Sequence, residues 1–137
     1  MNIGLGDRRR TILLIDPDAH ARSALRDALE TAGFSVGEAA SDAEGERTAR
    51  RIKPDAILAE LSHDHDGHGA MLPERLQAEG SEIPCYVLST AADALFGSVG
   101  LHELGVAGVF LKPANAAVVV RTLQTRLGAG RGAPGGA

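Results

Sequence analysis

Five short apolar runs recur along the chain, and a stretch with helical spacing of apolar residues follows each of them. The first run, Thr11 to Ile15, is continuously apolar and rich in β-branched residues, which is typical of a strand buried on both faces of a parallel sheet. The other predicted strands are Phe34 to Glu38, Asp55 to Leu61, Ile83 to Leu88 and Ala107 to Leu111. Strands that alternate with helices predict right-handed βαβ units, and therefore an α/β fold with a doubly wound, five-stranded parallel sheet.

The helices between these strands carry recognisable start and stop signals. Asp16 or Asp18 is expected to cap the first helix, which Gly33 ends. Asn115 is expected to cap the last helix. The remaining predicted helices are Asp42 to Ile52, stopped by Lys53-Pro54, a short helix that begins near residue 72, and Ala91 to Leu104.

Length and composition indicate one globular domain. The chain has 137 residues, of which 44% are apolar and 23% are charged, so wholesale disorder is excluded. Residues 1–10 are interpreted as a polar leader, residues 11–127 as the domain and residues 128–137 as a flexible tail rich in glycine and alanine. The single cysteine, Cys85, excludes an intrachain disulfide.

Charge and hydropathy narrow the classes of partner. A net charge of −4 and an aromatic content of 3% argue against direct nucleic-acid binding, which needs a basic surface and stacking platforms. The longest apolar run, Ala116 to Val120, is far too short to span a bilayer, and Arg8 to Arg10 stand where a signal peptide would need apolar residues. A cytoplasmic location without membrane contact is therefore expected.

Polar residues cluster where the predicted strands end. Ligands of doubly wound sheets bind at the carboxyl ends of the strands. The residues expected at that edge are Asp16, Pro17, Asp18, Glu60, Ser89, Thr90 and Lys112. Each also has a purely structural interpretation: Asp16, Ser89 and Thr90 are the right types to cap helices. Lys112 is harder to explain in that way, because an unpaired buried lysine is costly, and it is expected to meet Glu60 or Asp16.

These segments, in this order, resemble the receiver domain of response regulators in two-component signalling. The resemblance covers roughly residues 11–127. It rests on Ile12 to Asp16, Pro54 to Leu61, Asp66-Gly67, Pro84 to Ser89 and Gly105 to Pro113. It implies the flavodoxin-like (βα)5 receiver fold and a role in a bacterial regulatory pathway.

Receivers of this family use an aspartate after the third strand as phosphoacceptor, and two adjacent acids after the first strand hold Mg²⁺. By resemblance, Asp16 matches the first acid, whereas Pro17 replaces the second and Asp18 comes one position late. Glu60 occupies the phosphoacceptor position. A glutamate carboxylate reaches one methylene farther out, and phosphoryl transfer is sensitive to displacements of ~1 Å. Mg²⁺ prefers carboxylates, and the loss of one predicts weak binding at most, with Asp16 and Glu60 as its ligands.

The other family positions are partly kept. Ser89, with Thr90 beside it, matches the switch hydroxyl, and Lys112-Pro113 matches a pair in which the intervening peptide bond is often cis. Val109 stands where the family usually has an aromatic residue that changes rotamer on activation.

The departures favour an atypical receiver, or pseudo-receiver, that is not an enzyme, has no catalytic residue and requires no cofactor. A standing ion pair between Glu60 and Lys112 would then either imitate the phosphorylated state or fill an inactive pocket. By resemblance, a partner protein is expected on the face formed by the fourth helix (91–104), the fifth strand and the last helix, with a homodimer as an alternative. The first alternative function is a regulator that is still phosphorylated, on Glu60 or on a displaced acid such as Asp64.

The second alternative function is a metal or pH sensor built on the loop from His63 to His68. Three histidines and two aspartates occur in these six residues, and His63 and His65 are the candidate ligands for Zn²⁺ or Ni²⁺. The structural interpretation of this loop is a solvated polar connection.

Overall fold

The computed structural model describes residues 9–60, 72–89 and 105–128. Within them lie β1 (Thr11–Ile15), β2 (Ser35–Ala39), β3 (Ala56–Glu60), β4 (Cys85–Ser89) and β5 (Val106–Leu111). The helices are α1 (Ala19–Thr31), α2 (Asp42–Ile52), α3 (Leu72–Ala78) and α4 (Ala116–Leu127). All strand pairs are parallel, and the order is β2-β1-β3-β4-β5. This is the doubly wound, flavodoxin-like order, so the predicted fold class is confirmed.

Some predicted segments lie outside the described residues. The helix expected at 91–104 is among them, as are residues 1–8 and 129–137 of the leader and tail. Across the ranges that are described, no helix is long and apolar enough to cross a membrane.

The core has two halves, one on each face of the sheet. Alternate residues of β1 explain why its apolar run is continuous: Ile12 and Leu14 pack on one face, and Leu13 and Ile15 pack on the other. The first half joins the sheet to α1 and α4, chiefly through Leu25, Leu29, Phe34, Leu58, Tyr86, Leu88, Val119 and Leu123. The second half joins it to α2 and α3, chiefly through Ala49, Ile57, Ala59, Leu72 and Leu76.

The helix ends follow the sequence signals closely. Asp18, and not Asp16, caps α1, since its side chain accepts hydrogen bonds from the backbone N–H groups of His20 and Ala21. Asn115 caps α4 by accepting the N–H of Val118 at 3.2 Å. At the carboxyl end of α2, Lys53 adopts a left-handed conformation with φ of 50° and ends the helix.

Three strands begin later than the sequence predicts, and β3 does so by one residue, at Ala56 instead of Asp55. The N–H of Phe34 donates to the carbonyl of Leu29, so Phe34 belongs to the end of α1 and β2 starts at Ser35. Pro84 has no N–H to donate to the sheet, and β4 starts after it, at Cys85.

Candidate functional site

An ammonium group bridges two carboxylates at the carboxyl ends of the strands. Asp16 directly follows β1, Glu60 is the last residue of β3, and Lys112 directly follows β5. Lys112 Nζ lies 3.1 Å from Asp16 Oδ2 and 3.3 Å from Glu60 Oε2. The strand order explains the meeting, because β1 and β3 are adjacent and Lys112 reaches across β4 to both. Lys112 therefore contacts both of the partners that the sequence offered as alternatives.

Asp16 is the most deeply buried charged group of this site. It is 0% exposed, whereas the side chains of Lys112 and Glu60 are 16% and 24% exposed. Both of its carboxylate oxygens are occupied, since Oδ2 faces Lys112 and Oδ1 accepts the N–H of Asp18 at 2.9 Å. These contacts supply the partners that a buried carboxylate needs.

The electrostatic environment keeps Lys112 protonated. Burial lowers the pKa of its ammonium group, but the hydrogen bonds and charges of Asp16 and Glu60 outweigh burial, so the net pKa is raised. A protonated lysine between two carboxylates leaves a net charge of about −1 on the three groups.

The backbone of β4 fixes the start of the loop that carries Lys112. Ser89 ends β4 and is buried, and its carbonyl accepts the N–H of Lys112 at 3.0 Å. The peptide bond between Lys112 and Pro113 is cis. Ser89 and Lys112 thus lie at the same edge of the sheet, as the sequence placed them.

A scan against protein families finds a match to the response regulator receiver domain over residues 12–124. The chain belongs to this family. Its members are the receiver modules of two-component signalling, and the geometry above is therefore that of a receiver pocket in which glutamate ends the third strand.

Curated relatives are longer than this receiver domain. It is 30% identical over 132 residues to the transcriptional regulatory protein PrrA of Mycobacterium leprae, covering 94% of the chain and 55% of the relative. It is 30% identical over 117 residues to the photosynthetic apparatus regulatory protein RegA of Cereibacter sphaeroides, covering 85% of the chain and 62% of the relative. The chain spans about half to three fifths of the length of these two relatives.

Solved structures share the fold at low sequence identity. The signal receiver domain of an HD domain-containing protein from Pseudomonas fluorescens superposes with a TM-score of 0.76 at 16% identity, covering 93% of each chain. The chemotaxis protein CheY4 of Vibrio cholerae superposes with a TM-score of 0.70 at 23% identity, covering 86% of this chain and 98% of that one. These likenesses support the fold.

Asp18 lies beside the pocket without joining the Lys112 contact. It is exposed, and the N–H groups of Ala21 and His20 that it accepts lower the pKa of its carboxyl group. Pro17, between the two acids, is exposed and offers no carboxylate. The acidic pair predicted from the sequence is thus one buried carboxylate and one helix cap.

Several predicted site residues fall outside the part of the chain that the structure describes. Thr90 is one, and His63 and His65 of the proposed metal loop are others, so the sensor hypothesis stays a prediction. Among residues 9–60, 72–89 and 105–128, no group of three or more histidine, cysteine or acidic side chains is arranged to hold a metal ion.

A cleft opens beside the pocket, between the first turns of α1 and the loop that leads into α4. It encloses about 410 Å³, with Leu25 and Leu88 among its apolar walls and Asp16, Asp18 and Lys112 among its polar lining. The cleft gives solvent a route to the buried edge of the sheet.

Three further charged residues were not predicted from the sequence, and one of them, Arg22, contacts Asp16 of the pocket. Arg22 and Arg26 project from α1 to the carboxylate of Glu38 on β2. The available signal was the spacing of four residues between the arginines, which puts both on one helix face. Two arginines on one helix face are usually solvated surface residues. The contact with Glu38 is visible only in the tertiary structure, because Glu38 lies on β2.

Proposed function

We propose that this receiver domain is a protein-interaction module of a bacterial two-component pathway whose output does not require aspartyl phosphorylation. The observation that carries the proposal is the contact of Lys112 with both Glu60 and Asp16. The lysine that would stabilise a transferred phosphoryl group is already neutralised by side chains of the chain itself.

The nucleophile position supports this proposal. Glu60 ends β3 where the family has its phosphoacceptor aspartate, and its extra methylene displaces the carboxylate from the position that in-line transfer requires. Its Oε2 also accepts a hydrogen bond from Lys112, which lowers its availability as a nucleophile.

The donor set for Mg²⁺ is depleted in the same way. A receiver of the usual kind would use two acids after β1, but Pro17 has replaced the second. The remaining acid, Asp16, has one carboxylate oxygen on Lys112 and the other on the N–H of Asp18. A divalent ion would have to displace these contacts, so the described residues do not fit a tightly held Mg²⁺.

The partner face that we propose includes β5 and α4. Leu111 at the end of β5 is 62% exposed and Val118 in the first turn of α4 is 46% exposed, both high values for large apolar side chains. The third element of the expected face, at 91–104, lies outside the described residues. A partner protein is the proposed occupant; a homodimer and the cytoplasmic location remain predictions.

The test is an amide NMR titration with Mg²⁺ and then with beryllofluoride, which stands in for a bound phosphoryl group. We expect the resonances of Asp16, Glu60, Ser89 and Lys112 to stay unmoved at millimolar Mg²⁺ and after beryllofluoride is added. The matched control is the double variant Pro17→Asp with Glu60→Asp, which restores the family's acids and is expected to respond. Clear wild-type shifts at those four residues would overturn the proposal.

The second candidate function is a regulator phosphorylated on Glu60. The observation that favours it is the partial exposure of the Glu60 side chain, 24%, which leaves the carboxylate reachable from solvent. Mass spectrometry after incubation with acetyl phosphate separates the candidates. An acid-labile phosphoryl group on Glu60, or on Asp64, would establish this second function and eliminate the first.

A further inference from the structure

Glu38, on the edge strand β2, holds two arginines of α1. It lies next to the end of β2 and pairs in register with Leu14 of β1. Arg22 Nε donates to Oε1 of Glu38 at 2.8 Å, and Arg26 Nη1 donates to Oε2 at 2.7 Å. Each carboxylate oxygen thus accepts a charge-assisted hydrogen bond, the strong kind among side chains.

Arg22 does more than pair with Glu38. A second nitrogen of its guanidinium group, Nη1, donates to the main-chain oxygen of Asp16. The guanidinium fork is rigid, so a side chain held at one nitrogen by Glu38 presents the other nitrogens in a fixed direction. Arg26, on the same carboxylate, otherwise lies near Asp27 and Glu30 and not near Asp16.

The main chain at Asp16 has a hydrogen bond on each side of the residue. On its amino side, the N–H of Asp16 donates to the carbonyl of Ala39 at 3.0 Å, which continues the β1–β2 ladder by one residue. On its carboxyl side comes Pro17, which has no N–H and cannot anchor the turn. The sheet therefore binds the N–H of Asp16, whereas its carbonyl accepts a hydrogen bond from Arg22.

We propose that Arg22, oriented by Glu38, is a positioning residue that keeps the Asp16 carboxylate on Lys112. The chain of contacts runs from the edge strand to the pocket: Glu38, Arg22, Asp16, Lys112, Glu60. This inference rests on the proposed function, because the standing contact of Lys112 is the feature that Arg22 maintains.

The chain offers a matched pair of variants for the test. Arg22→Gln and Arg26→Gln each remove one guanidinium from the same carboxylate, but only the first removes the hydrogen bond to Asp16. Glu38→Gln is a milder third variant, which weakens the hold on Arg22 without touching Asp16 directly. It keeps the proposal testable if Arg22→Gln does not fold.

Two NMR readouts report the position of Asp16. The first is hydrogen exchange at the amide of Asp18, which donates to Asp16 Oδ1, with the core amide of Leu14 as internal reference. The second is the 1H–15N signal of the Lys112 ammonium group, which is visible only when hydrogen bonds slow its exchange. The chain has two lysines, and the other, Lys53, is exposed, so a slowly exchanging ammonium signal is assigned to Lys112.

We expect Arg22→Gln to speed Asp18 exchange relative to Leu14 by about tenfold and to weaken the Lys112 signal. We expect Glu38→Gln to act in the same direction and Arg26→Gln to leave both readouts within about twofold of wild type. The sign of the expected change excludes a simple charge effect. Removing the positive charge of Arg22 weakens the local attraction for hydroxide, the catalyst of amide exchange, and by itself would slow the exchange of Asp18.

The outcomes separate the inference from the proposed function. A wild-type protein without a Lys112 ammonium signal would contradict the standing contact and hence the proposed function. A wild-type signal that persists in Arg22→Gln, with unchanged Asp18 exchange, would overturn the positioning role alone. Equal effects of Arg22→Gln and Arg26→Gln would also overturn it, since they would indicate a general loss of packing.

Discussion

The neighbouring strands β1 and β3 carry an ion pair at each end, and the two ends differ in how much water reaches them. At the amino end, Arg10 lies 3.8 Å from Asp55, and their side chains are 50% and 36% exposed. At the carboxyl end, Lys112 lies 3.1 Å from Asp16, and their side chains are 16% and 0% exposed. Both pairs join a cationic side chain to an aspartate, and they differ in burial, in distance and in the second carboxylate, Glu60, that Lys112 also contacts.

Burial determines how much each of the two ion pairs contributes to the stability of the fold. Water screens the exposed pair at the amino end, where such pairs contribute between nothing and about 1 kcal/mol. At the carboxyl end, the desolvated Asp16 depends on its partners, and removing one leaves a buried charge uncompensated. The end of the sheet that the family uses for signalling is therefore also the end where the charged residues constrain one another.

The largest expected effect is that of Lys112→Met, which keeps the length of the side chain and removes its charge. We expect the free energy of unfolding to fall by about 3 kcal/mol, because Asp16 and Glu60 are left without their shared partner. Urea unfolding followed by far-ultraviolet circular dichroism measures this loss.

The matched control is Lys53→Met, which removes the only other lysine, an exposed residue at the end of α2. We expect it to cost about 0.5 kcal/mol, as a surface charge near a helix end does. If Lys112→Met costs no more than this control, burial does not distinguish the two ends of the sheet and the comparison fails.

Much of the fold follows from local signals in the sequence. The bounds of β1 and α2 are predicted without error because both are set by neighbouring residues: a continuous apolar run in β1, and in α2 a stop at Lys53-Pro54. The late starts of β2 and β4 were missed because they depend on particular backbone donors, the N–H of Phe34 and the absent N–H of Pro84.

One part of the site could be predicted from the sequence, and the other part depends on the order of the strands. That Lys112 needs a carboxylate follows from the cost of burying a lone charge, and this requires no structure. That it contacts both Asp16 and Glu60 depends on the order of three strands, across separations of 96 and 52 residues. The role of Arg22 could not be predicted, because an arginine on a helix face is usually a solvated surface residue. Its contact with Glu38 depends on the position of β2 beside α1.

An intermediate effect is expected from Cys85, a buried group at the amino end of β4. Burial raises the pKa of its thiol from 9.0 to about 12, so the unfolded chain loses this proton at lower pH than the folded one. Stability therefore falls as the pH rises above 9, by about 2 kcal/mol at pH 10.5. In Cys85→Ala, the fall between pH 9 and 10.5 should be smaller by about 1.6 kcal/mol, because the unfolded thiol is already half ionised at pH 9.

Between pH 9 and 10.5, Lys112 does not contribute to the change in stability. Its pKa is raised above the ordinary 10.5, so its stabilisation is complete below pH 10.5 and is lost only as the pH rises through the folded pKa. Urea unfolding at three pH values, with a reductant present, measures the slope. Equal slopes of stability against pH for wild type and Cys85→Ala would contradict the raised pKa. They would show that water reaches the thiol at the amino end of β4.

The smallest expected effect is that of Arg10→Gln at the exposed amino-end pair. We expect a loss of about 0.3 kcal/mol at low salt, because the guanidinium lies 3.8 Å from Asp55 and both side chains are well hydrated. The hydrogen bonds that fix this end remain: the N–H of Thr11 still donates to Asp55 Oδ2, and the N–H of Asp55 still donates to the carbonyl of Thr11, both at 2.7 Å. At about 0.5 M salt the difference should vanish, since the screening length is then only about 4 Å. A loss above about 1 kcal/mol that persists in salt would mean that exposure is a poor guide to the strength of these pairs, and the contrast between the two ends would have to be sought in their hydrogen bonds instead.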